Sequence, residues 1–157
     1  MPDTVRRISV ISDTHGLLRP EALEALAGSD LIIHAGDVGE QEILTRLGRI
    51  APLYPVRGNV DTEYWARDLP RTSVVEAGPH TLYAIHDLGA MDLDPAASGF
   101  RCVISGHSHQ ADISERDGVT YLNPGSAGHK RFDRPATVGR IDIDGDTLAA
   151  HIIELEV

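Results

Sequence analysis

Two residues that could bind a metal ion, Asp13 and His15, follow the first apolar run of the chain. That run, residues 8–11, is rich in β-branched side chains and predicts a short buried strand. Side chains two residues apart leave an extended backbone on the same side, so we expect this carboxylate and imidazole to point the same way. Together they could hold a divalent cation. Because Asp13 alone could equally cap a turn, the pair gains meaning only from further ligands.

Further polar residues follow later apolar runs in the same manner. The whole set comprises two aspartates, four histidines and one asparagine: Asp13, His15, Asp37, Asn59, His86, His107 and His109. Taken singly, each residue would most often be a turn former or a hydrogen-bonded structural residue. Seven ligands are too many for one tetrahedral ion and suit two ions. Oxygen and imidazole donors without a thiolate favour manganese, iron, zinc or cobalt.

The elements that must position these residues alternate in the first third of the chain. Strands are predicted at 8–11, 31–33 and 53–56, with helices at 20–26 and 41–47 between them. This order predicts a parallel sheet with crossover helices. The loops at the carboxyl ends of such strands are where ligands normally bind.

The second half of the chain is rich in short β segments. Seven strands are predicted, at 72–77, 81–86, 102–105, 111–115, 119–123, 137–142 and 147–154. Gly78-Pro79, Asp117-Gly118 and Asp144-Gly145 separate several of them and predict hairpin turns. We therefore expect one domain, residues 1–157, of the α/β (α+β) class with a mixed two-sheet core.

Charge and composition narrow the classes of protein further. The 157 residues carry a formal net charge of −10 and a single lysine, Lys130, so no extended nucleic-acid surface is expected. No apolar run approaches the ~20 residues of a membrane helix. The short stretch before the first strand has no room for a secretory signal, so we expect a cytoplasmic protein without membrane partners. Cys102 lies in an apolar run and is predicted to be a core thiol rather than a nucleophile.

The chain resembles the calcineurin-like metallophosphoesterase family in motifs that occur in the family's order: Asp13-x-His15, Gly36-Asp37, Gly58-Asn59, His86 and Gly106-His107-x-His109. The short length and Asn123-Pro124-Gly125-Ser126 are similar to the family's small bacterial and archaeal phosphodiesterases. The resemblance covers nearly the whole chain. It implies a two-sheet β-sandwich flanked by helices, with a dinuclear metal site at the sheet edges.

The resemblance also implies how the ligands divide between two metal ions. Three residues would bind one ion, three would bind the other and one would bridge them: Asp13, His15 and His109; Asn59, His86 and His107; and Asp37. We assign a catalytic role as well to Asp37, Asn59 and His107. The implied cofactors are two divalent metal ions, manganese first, with iron, zinc, cobalt or nickel as alternatives.

Charge arithmetic agrees with a bridging carboxylate. Two divalent ions ~4 Å apart at an effective dielectric of ~20 would repel by roughly 16 kcal/mol, which a carboxylate and a hydroxide between them would offset. Four positive charges less Asp13, Asp37 and one hydroxide leave about +1, which matches a phosphodiester monoanion. The expected function is hydrolysis of small phosphate esters, most directly phosphodiesters, by attack of a metal-bridging hydroxide.

Two positions depart from the family pattern. Val60 stands where many larger relatives have a histidine thought to help the leaving group depart, and Asp87 follows His86 where a glycine is often found. General-acid help commonly contributes ~10²–10⁴-fold, so we expect a preference for good leaving groups such as aryl oxides. Asp61 is interpreted as a turn or supporting residue, with the general acid as the alternative.

Two other functional classes stay open from the sequence. A non-catalytic protein-interaction scaffold on the same fold, similar to a subunit of the retromer coat, is the main alternative. The complete ligand set favours an enzyme over that scaffold. A DNA-processing nuclease of the same superfamily would need more chain, a capping region and a basic surface.

The remaining histidines and aromatic residues receive structural interpretations. His34, His80 and His151 are expected to be structural. His129 lies beside Lys130 and Arg131 in what reads as a solvated loop, with substrate contact as the alternative. Two aromatic residues follow the Asn59 loop and could stack a substrate, but packing or a subunit contact is favoured: Tyr64 and Trp65. A homo-oligomer stays open, and the natural substrate is not specified.

Overall fold

Two five-stranded β-sheets form the framework of the structure, a computed structural model that describes residues 5–130 and 133–157. The elements are β1 (Arg7–Ile11), α1 (Pro20–Leu26), β2 (Leu31–His34), α2 (Gln41–Gly48), β3 (Leu53–Pro55), β4 (Thr72–Ala77), β5 (His80–Ile85), β6 (Cys102–Ile104), β7 (Asp112–Arg116), β8 (Val119–Asn123), β9 (Thr137–Asp144) and β10 (Thr147–Glu154). The stretch before Val5 and Arg131, which enter the expectations above, lie outside the described residues.

The first sheet contains the strands β10, β9, β1, β2 and β3 in that order. Strands β1, β2 and β3 are parallel, with Ile8 opposite Leu31 and Ile32 opposite Leu53. The alternating strand and helix order predicted from the sequence is therefore confirmed. Parallel strands end at the same edge of a sheet, so the loops after β1, β2 and β3 lie side by side.

Both helices cover the outer face of this first sheet. Pro20 occupies the first turn of α1, where its missing N–H costs no hydrogen bond. The buried residues of α1 are Ala22 and Leu26, and those of α2 are Ile43 and Leu47. The spacing of four residues places each pair on one helix face, and both faces join the cluster that contains Ile11 and Ile32.

The second sheet contains β4, β5, β6, β8 and β7 in that order. The pairs β4–β5 and β7–β8 are antiparallel hairpins, whereas β5–β6 and β6–β8 are parallel. Gly78, Gly118 and Gly145 adopt positive φ in the turns that join β4–β5, β7–β8 and β9–β10. The three hairpin turns predicted from the sequence are therefore confirmed.

The main core lies between the two sheets. Val10 and Ile141 from the first sheet pack with Leu82 and Ile104 from the second, and all four are fully buried. Cys102 belongs to the same core, and burial raises the pKa of its thiol to about 12, which confirms a core thiol. The fold is therefore α+β, with two mixed sheets and helices on one outer face.

Among the described residues, no helix combines the length and the hydropathy needed to cross a membrane.

Candidate metal centre

The seven predicted ligands lie on loops at the carboxyl ends of strands from both sheets. They follow β1, β2, β3, β5 and β6 in turn: Asp13 and His15, Asp37, Asn59, His86, and His107 and His109. The loops meet because both sheets present these strand ends at the same rim of the sandwich. The structure thus brings together residues that are separated by up to 96 positions in the sequence.

The first group of ligand atoms gathers around one carboxylate oxygen of Asp13. This oxygen, Oδ1, lies 3.3 Å from Nε2 of His109 and 3.7 Å from Nε2 of His15. The two imidazole nitrogens are 3.2 Å apart. Oδ2 of Asp37 approaches His15 Nε2 at 3.6 Å and completes a four-residue group whose candidate ligand atoms lie within 4.8 Å of one another.

The second group shares Asp37 with the first. Oδ2 of Asp37 lies 3.2 Å from Nε2 of His86, and His107 completes a three-residue group that meets the same 4.8 Å limit. The side-chain oxygen of Asn59 connects the two histidines of this group, at 3.0 Å from His86 Nε2 and 3.2 Å from His107 Nδ1. One carboxylate oxygen therefore faces both groups, which is the arrangement that a bridging ligand requires.

Each aspartate uses its other oxygen for hydrogen bonds within the protein. Oδ2 of Asp13 accepts hydrogen bonds from the Ser12 hydroxyl at 2.7 Å and from the backbone N–H of His107 at 3.1 Å. Oδ1 of Asp37 accepts the backbone N–H of Val60 at 3.0 Å. These bonds fix the carboxylates so that the opposite oxygens point at the histidines.

The orientation of His86 directs a ring nitrogen at two oxygen atoms. Its Nδ1 lies 2.7 Å from the carbonyl oxygen of Ala35, which can only accept a hydrogen bond, so Nδ1 carries the proton. In the neutral ring, Nε2 then presents a lone pair to Asp37 Oδ2 and Asn59 Oδ1. Three electron-rich atoms facing one another favour a shared cation, and a carbonyl that fixes the ring tautomer is usual for a metal-binding histidine.

Five of the seven residues have a left-handed backbone: Asp13 (φ 54°), His15 (46°), Asp37 (58°), His107 (74°) and His109 (61°). The expectation that an extended backbone places the first two on one side is therefore wrong, since neither residue is extended. Asp, Asn and His tolerate positive φ better than most residues, and such conformations cluster at functional sites. The side chains converge because the loops are tightly curled.

Backbone hydrogen bonds continue the β1–β2 pairing into these loops. The N–H of Asp13 donates to the carbonyl of Gly36, that of His15 to Asp37, and that of Gly16 to Val38, all at 2.9–3.0 Å. Two ligand-bearing loops are thus joined by main-chain bonds that involve no ligand atom. Their spacing is set by the fold.

Asp61 holds the next pair of loops together. Its buried carboxylate accepts hydrogen bonds from the backbone N–H groups of Val38, Gly39 and Gly58 at 3.2, 3.1 and 2.9 Å. These bonds connect the Asp37 loop to the Asn59 loop. The interpretation of Asp61 as a supporting residue is therefore confirmed.

Asn123 supports the loop that carries His107. Its side-chain N–H₂ group donates to the carbonyl of Gly106 at 3.0 Å and to the hydroxyl of Ser108 at 3.1 Å. The same segment reaches the first loop, because the Ser126 hydroxyl donates to the carbonyl of Asp13 at 2.9 Å. The motif around Asn123 therefore braces two ligand loops.

Burial and hydrogen bonding act differently on the charged groups. Burial raises the pKa of the Asp13 carboxyl. Burial acts in the same direction on Asp37, but hydrogen bonds with His86 and the Val60 N–H outweigh it, so the pKa of Asp37 is lowered. Burial lowers the pKa of His86, but the Asp37 carboxylate, which accepts a hydrogen bond from Nε2 when the ring is protonated, and the Ala35 carbonyl reverse this effect and raise it. For Asp13, the effect of burial thus exceeds the opposing effects of the Ser12 hydrogen bond and of the nearby His86 and His109.

The burial and the donor atoms of these residues fit divalent cations. Oδ1 of Asp13 is fully buried and accepts no hydrogen bond from any residue in 5–130 or 133–157. A buried carboxylate oxygen without such a bond is costly unless a cation compensates it. Carboxylate, amide and imidazole donors without thiolate suit first-row divalent metals.

The centre is open on the side of its second group. Asp13, Asp37, His86 and His109 are buried, whereas Asn59 and His107 are exposed. Two cavities flank His107, of about 380 Å³ and about 320 Å³. A substrate can therefore reach the centre from the Asn59 and His107 side.

The other described histidines belong to neither ligand group. His34 is fully buried and contacts the Thr14 hydroxyl, His80 contacts the Gly145 carbonyl, and His151 pairs with Asp142. These contacts confirm the structural interpretation. His129 is exposed, in agreement with a solvated loop.

The aromatic residues after the Asn59 loop do not line either cavity. Trp65 is partly buried and packs against the helix-side cluster, which confirms packing for this residue. Tyr64 is 83% exposed, with the Arg67 guanidinium 5.5 Å from its ring centroid.

Sequence reasoning missed Ser12, Arg57 and Arg71. Ser12 hydrogen-bonds Asp13, and both arginines line the 320 Å³ cavity beside Asn59 and His86. Ser12 and Arg57 immediately precede or adjoin motif residues, so their position was a usable signal. Arg71 lies before β4, and only the packing of the second sheet brings it to the centre.

Comparison with known proteins agrees with this geometry. The chain matches the model of the calcineurin-like phosphoesterase superfamily domain over residues 7–146. It is 37% identical to a probable metallophosphoesterase of Methanothermobacter thermautotrophicus, over 93% of this chain and 91% of the relative. Its fold is similar to vacuolar protein sorting 29 from Cryptosporidium parvum (TM-score 0.84, 21% identity, 97% and 92% of the two chains). It is also similar to an archaeal phosphodiesterase (TM-score 0.75, 22% identity, 94% and 99%). The chain therefore belongs to the calcineurin-like phosphoesterase superfamily.

Proposed function

We propose that this protein is a metal-dependent phosphodiesterase with a dinuclear site formed by the two ligand groups. The observation that carries the proposal is the position of Asp37, whose Oδ2 faces His15 of one group and His86 of the other. A shared carboxylate oxygen is suited to two cations a few ångströms apart. The name of the archaeal phosphodiesterase of similar fold supports the same reaction class.

The seven ligands would divide by group. We assign one ion to Asp13, His15 and His109, the other to Asn59, His86 and His107, and the bridge to Asp37. When bound, two divalent cations would supply an activated water and positive charge for the phosphoryl oxygens. Manganese is our first expectation for the metal, since the donors are oxygens and imidazoles.

The chain's own residues would orient these parts. The Ser12 hydroxyl and the His107 N–H hold Asp13, and the Val60 N–H holds Asp37. The exposed Asn59 and His107 leave the phosphate a path to the centre and provide polar groups beside it. We assign catalytic roles to these two residues and to Asp37 on that basis.

A phosphodiester is the favoured substrate because two cavities meet His107. His107 and Asp87 line both the 380 Å³ and the 320 Å³ cavity. A diester carries two substituents on phosphorus, and each cavity could take one of them. We infer that the whole chain acts as one domain and that its substrates are small.

The test is metal analysis combined with hydrolysis of an aryl phosphodiester panel, with and without added manganese. We expect about two ions per chain and turnover that depends on them. His109→Ala should lower both, whereas His151→Ala, at a half-buried histidine on β10, should change neither. Turnover that survives in the metal-free protein would contradict the proposal.

The similarity to vacuolar protein sorting 29 keeps an interaction scaffold as the second candidate function. A scaffold could retain bound metal as a structural element. Stoichiometric metal without turnover on any phosphate ester in the panel would favour it over the enzyme.

A further inference from the structure

Two arginines line the cavity beside the second ligand group. Arg57 lies in the loop that carries Asn59, and Arg71 lies directly before β4. Both line the cavity of about 320 Å³ that also contacts Asn59, His86 and His107. Positive charge from two different loops is therefore placed next to the candidate metal centre.

Two carboxylates, Asp87 and Asp92, line the same cavity as these arginines. Within residues 5–130 and 133–157, no acidic side chain forms an ion pair with Arg57 or Arg71. The chain has 24 acidic residues against 14 basic ones, so partners are abundant. Two guanidinium groups that form no ion pair with a described carboxylate are suited to an anion from outside the chain.

The backbone and the stem of Arg57 are held in place. Its N–H donates to the Pro70 carbonyl at 2.7 Å, and its Nε donates to the Asp61 carbonyl at 2.9 Å. The terminal Nη groups form no hydrogen bond with a described residue. A fixed stem with unused terminal donors is a preorganised anion contact, because little side-chain freedom is lost on binding.

The other cavity offers a different environment. It contains one basic residue, Arg116, whose guanidinium lies 4.6 Å from the ring centroid of Tyr121. Ser114 and Gln110 add neutral polar groups, and Asp87 and Asp112 add negative charge. The first cavity has two arginines against Asp87 and Asp92, whereas this one has a single arginine against two aspartates, so the first better accommodates an anionic substituent.

From this cavity we propose that Arg57 and Arg71 form a subsite for a second anionic group of the substrate. The preferred substrate class is then a phosphodiester with a carboxylate or phosphate on one substituent. The inference rests on the proposed phosphodiesterase function and specifies its substrate. The two guanidinium groups would offset the protein's overall charge, because a chain of net charge −10 would otherwise repel the more negative ester.

The test compares esters that differ only in the second anion. Para-nitrophenyl propyl phosphate is matched with the carboxyethyl and phosphoethyl diesters, all with the same leaving group. In each reaction water adds to phosphorus and the bond to the aryl oxygen breaks. We expect kcat/KM to be about tenfold higher for an anionic ester, the effect of one charge-assisted hydrogen bond. The carboxyethyl and phosphoethyl arms show which anion is preferred.

Variants of Arg71 connect this preference to the cavity. Arg71 is exposed and makes no hydrogen bond with a described residue, so folding should tolerate its replacement. Arg71→Gln should reduce the preference to near one, and Arg71→Glu should reverse it. Arg49→Gln, at an exposed arginine that caps α2, changes the net charge equally and should preserve the preference. Equal kcat/KM values in the native protein, or a preference unchanged by Arg71→Glu, would overturn the subsite.

A binding measurement separates this inference from the proposed function. Calorimetry on the manganese-loaded protein compares carboxyethylphosphonate with propylphosphonate, neither of which is hydrolysed. About tenfold tighter binding of the carboxylate, lost in Arg71→Gln, supports the subsite even if no ester is cleaved. Ester cleavage without that difference in affinity overturns the subsite and leaves the phosphodiesterase proposal intact.

Discussion

At Asp37, one side chain performs two tasks through two different oxygens. Oδ1 is fixed by the Val60 N–H, and Oδ2 faces the imidazoles of His15 and His86. Because the protein holds the first oxygen, the second needs no rearrangement to serve both ligand groups. This makes Asp37 the residue on which the dinuclear proposal most directly depends.

Asp37→Asn should abolish phosphodiester hydrolysis. The amide keeps the shape but loses the charge that offsets two cations, so the expected loss exceeds the ~10²–10³-fold that follows removal of one oxyanion-hole donor. Steady-state rates and metal content are measured together, with Asp68→Asn, at an exposed aspartate, as the control. Retained turnover with full metal content would refute the bridging role.

The position after Asn59 predicts a preference among leaving groups. Val60 has no proton to donate, and three backbone N–H groups engage the Asp61 carboxylate. We therefore expect aryl diesters to be hydrolysed faster than alkyl diesters. A general acid, which commonly contributes ~10²–10⁴-fold, would reduce this difference. Val60 is 44% exposed, so Val60→His should be tolerated and should speed alkyl esters more than aryl ones.

Rates for matched aryl and alkyl diesters in both proteins check this prediction. An alkyl diester cleaved as readily as an aryl one by the native protein would mean that another residue supplies the proton. The candidate would then have to lie in one of the two cavities beside His107.

The roles of individual residues were predictable where they follow from residue type and from position along the chain. The seven candidate ligands could be named, since polar residues after apolar strands are visible in the sequence. The backbone conformation of Asp13 and His15 could not be predicted, because their positive φ depends on the loop's hydrogen bonds to Gly36 and Asp37. Arg71 was invisible for another reason: its place beside the centre depends on how the two sheets pack.

Among the elements, the loop after β6 approaches the loop after β1 unusually closely. A Cβ on Gly106 would lie 2.1 Å from the Ser12 hydroxyl oxygen and 2.6 Å from Oδ2 of Asp13. Only a residue without a side chain lets these two loops meet. The contact matters because it brings His107 and His109 to the carboxylate of Asp13.

Gly106→Ala should displace Asp13 and lower both metal content and activity. Overpacking of this kind also costs about 1–3 kcal/mol of unfolding free energy. Gly48→Ala is the matched control, because a Cβ there meets no atom within 4 Å. In that helical position alanine should stabilise the protein by up to about 1 kcal/mol. Metal analysis and urea unfolding of both variants check the prediction; full metal binding by Gly106→Ala would contradict it.

Strand and helix order was the most predictable level of the structure. β-branched runs and the helical spacing of Ile43 and Leu47 are local signals, and they predicted these elements correctly. The order of strands within the second sheet was not predictable, because β6 pairs with β8 rather than with β7. That choice follows from long-range packing of the sandwich core.

At the scale of the whole molecule, buried polar groups connect stability to pH. His34 is fully buried, and burial lowers its pKa to about 3 from 6.5. Its Nδ1 accepts the Gly36 N–H at 3.1 Å, and its Nε2 contacts the Thr14 hydroxyl, which donates to the Val38 carbonyl. This chain of hydrogen bonds requires the neutral ring.

Stability should therefore fall as the pH is lowered below 6.5. The unfolded chain binds a proton at His34 between pH 6.5 and 3 while the folded chain does not, so the free energy of unfolding decreases by about 1.4 kcal/mol per pH unit. Urea unfolding of the metal-free protein between pH 6.5 and 4.5 measures the slope. In His34→Gln, the decrease of the unfolding free energy with falling pH should be smaller, by the contribution of about one proton. Equal slopes in the two proteins would contradict the prediction.

The main-chain bonds that join the Asp13 loop to the Asp37 loop have a consequence for how such proteins diversify. Since no candidate ligand side chain takes part in those bonds, the shape of the rim does not depend on which side chains it carries. A related chain could exchange a histidine or an aspartate, lose the proposed metal site and still keep the same rim. An enzyme and an interaction scaffold of this fold could then differ by only a few substitutions.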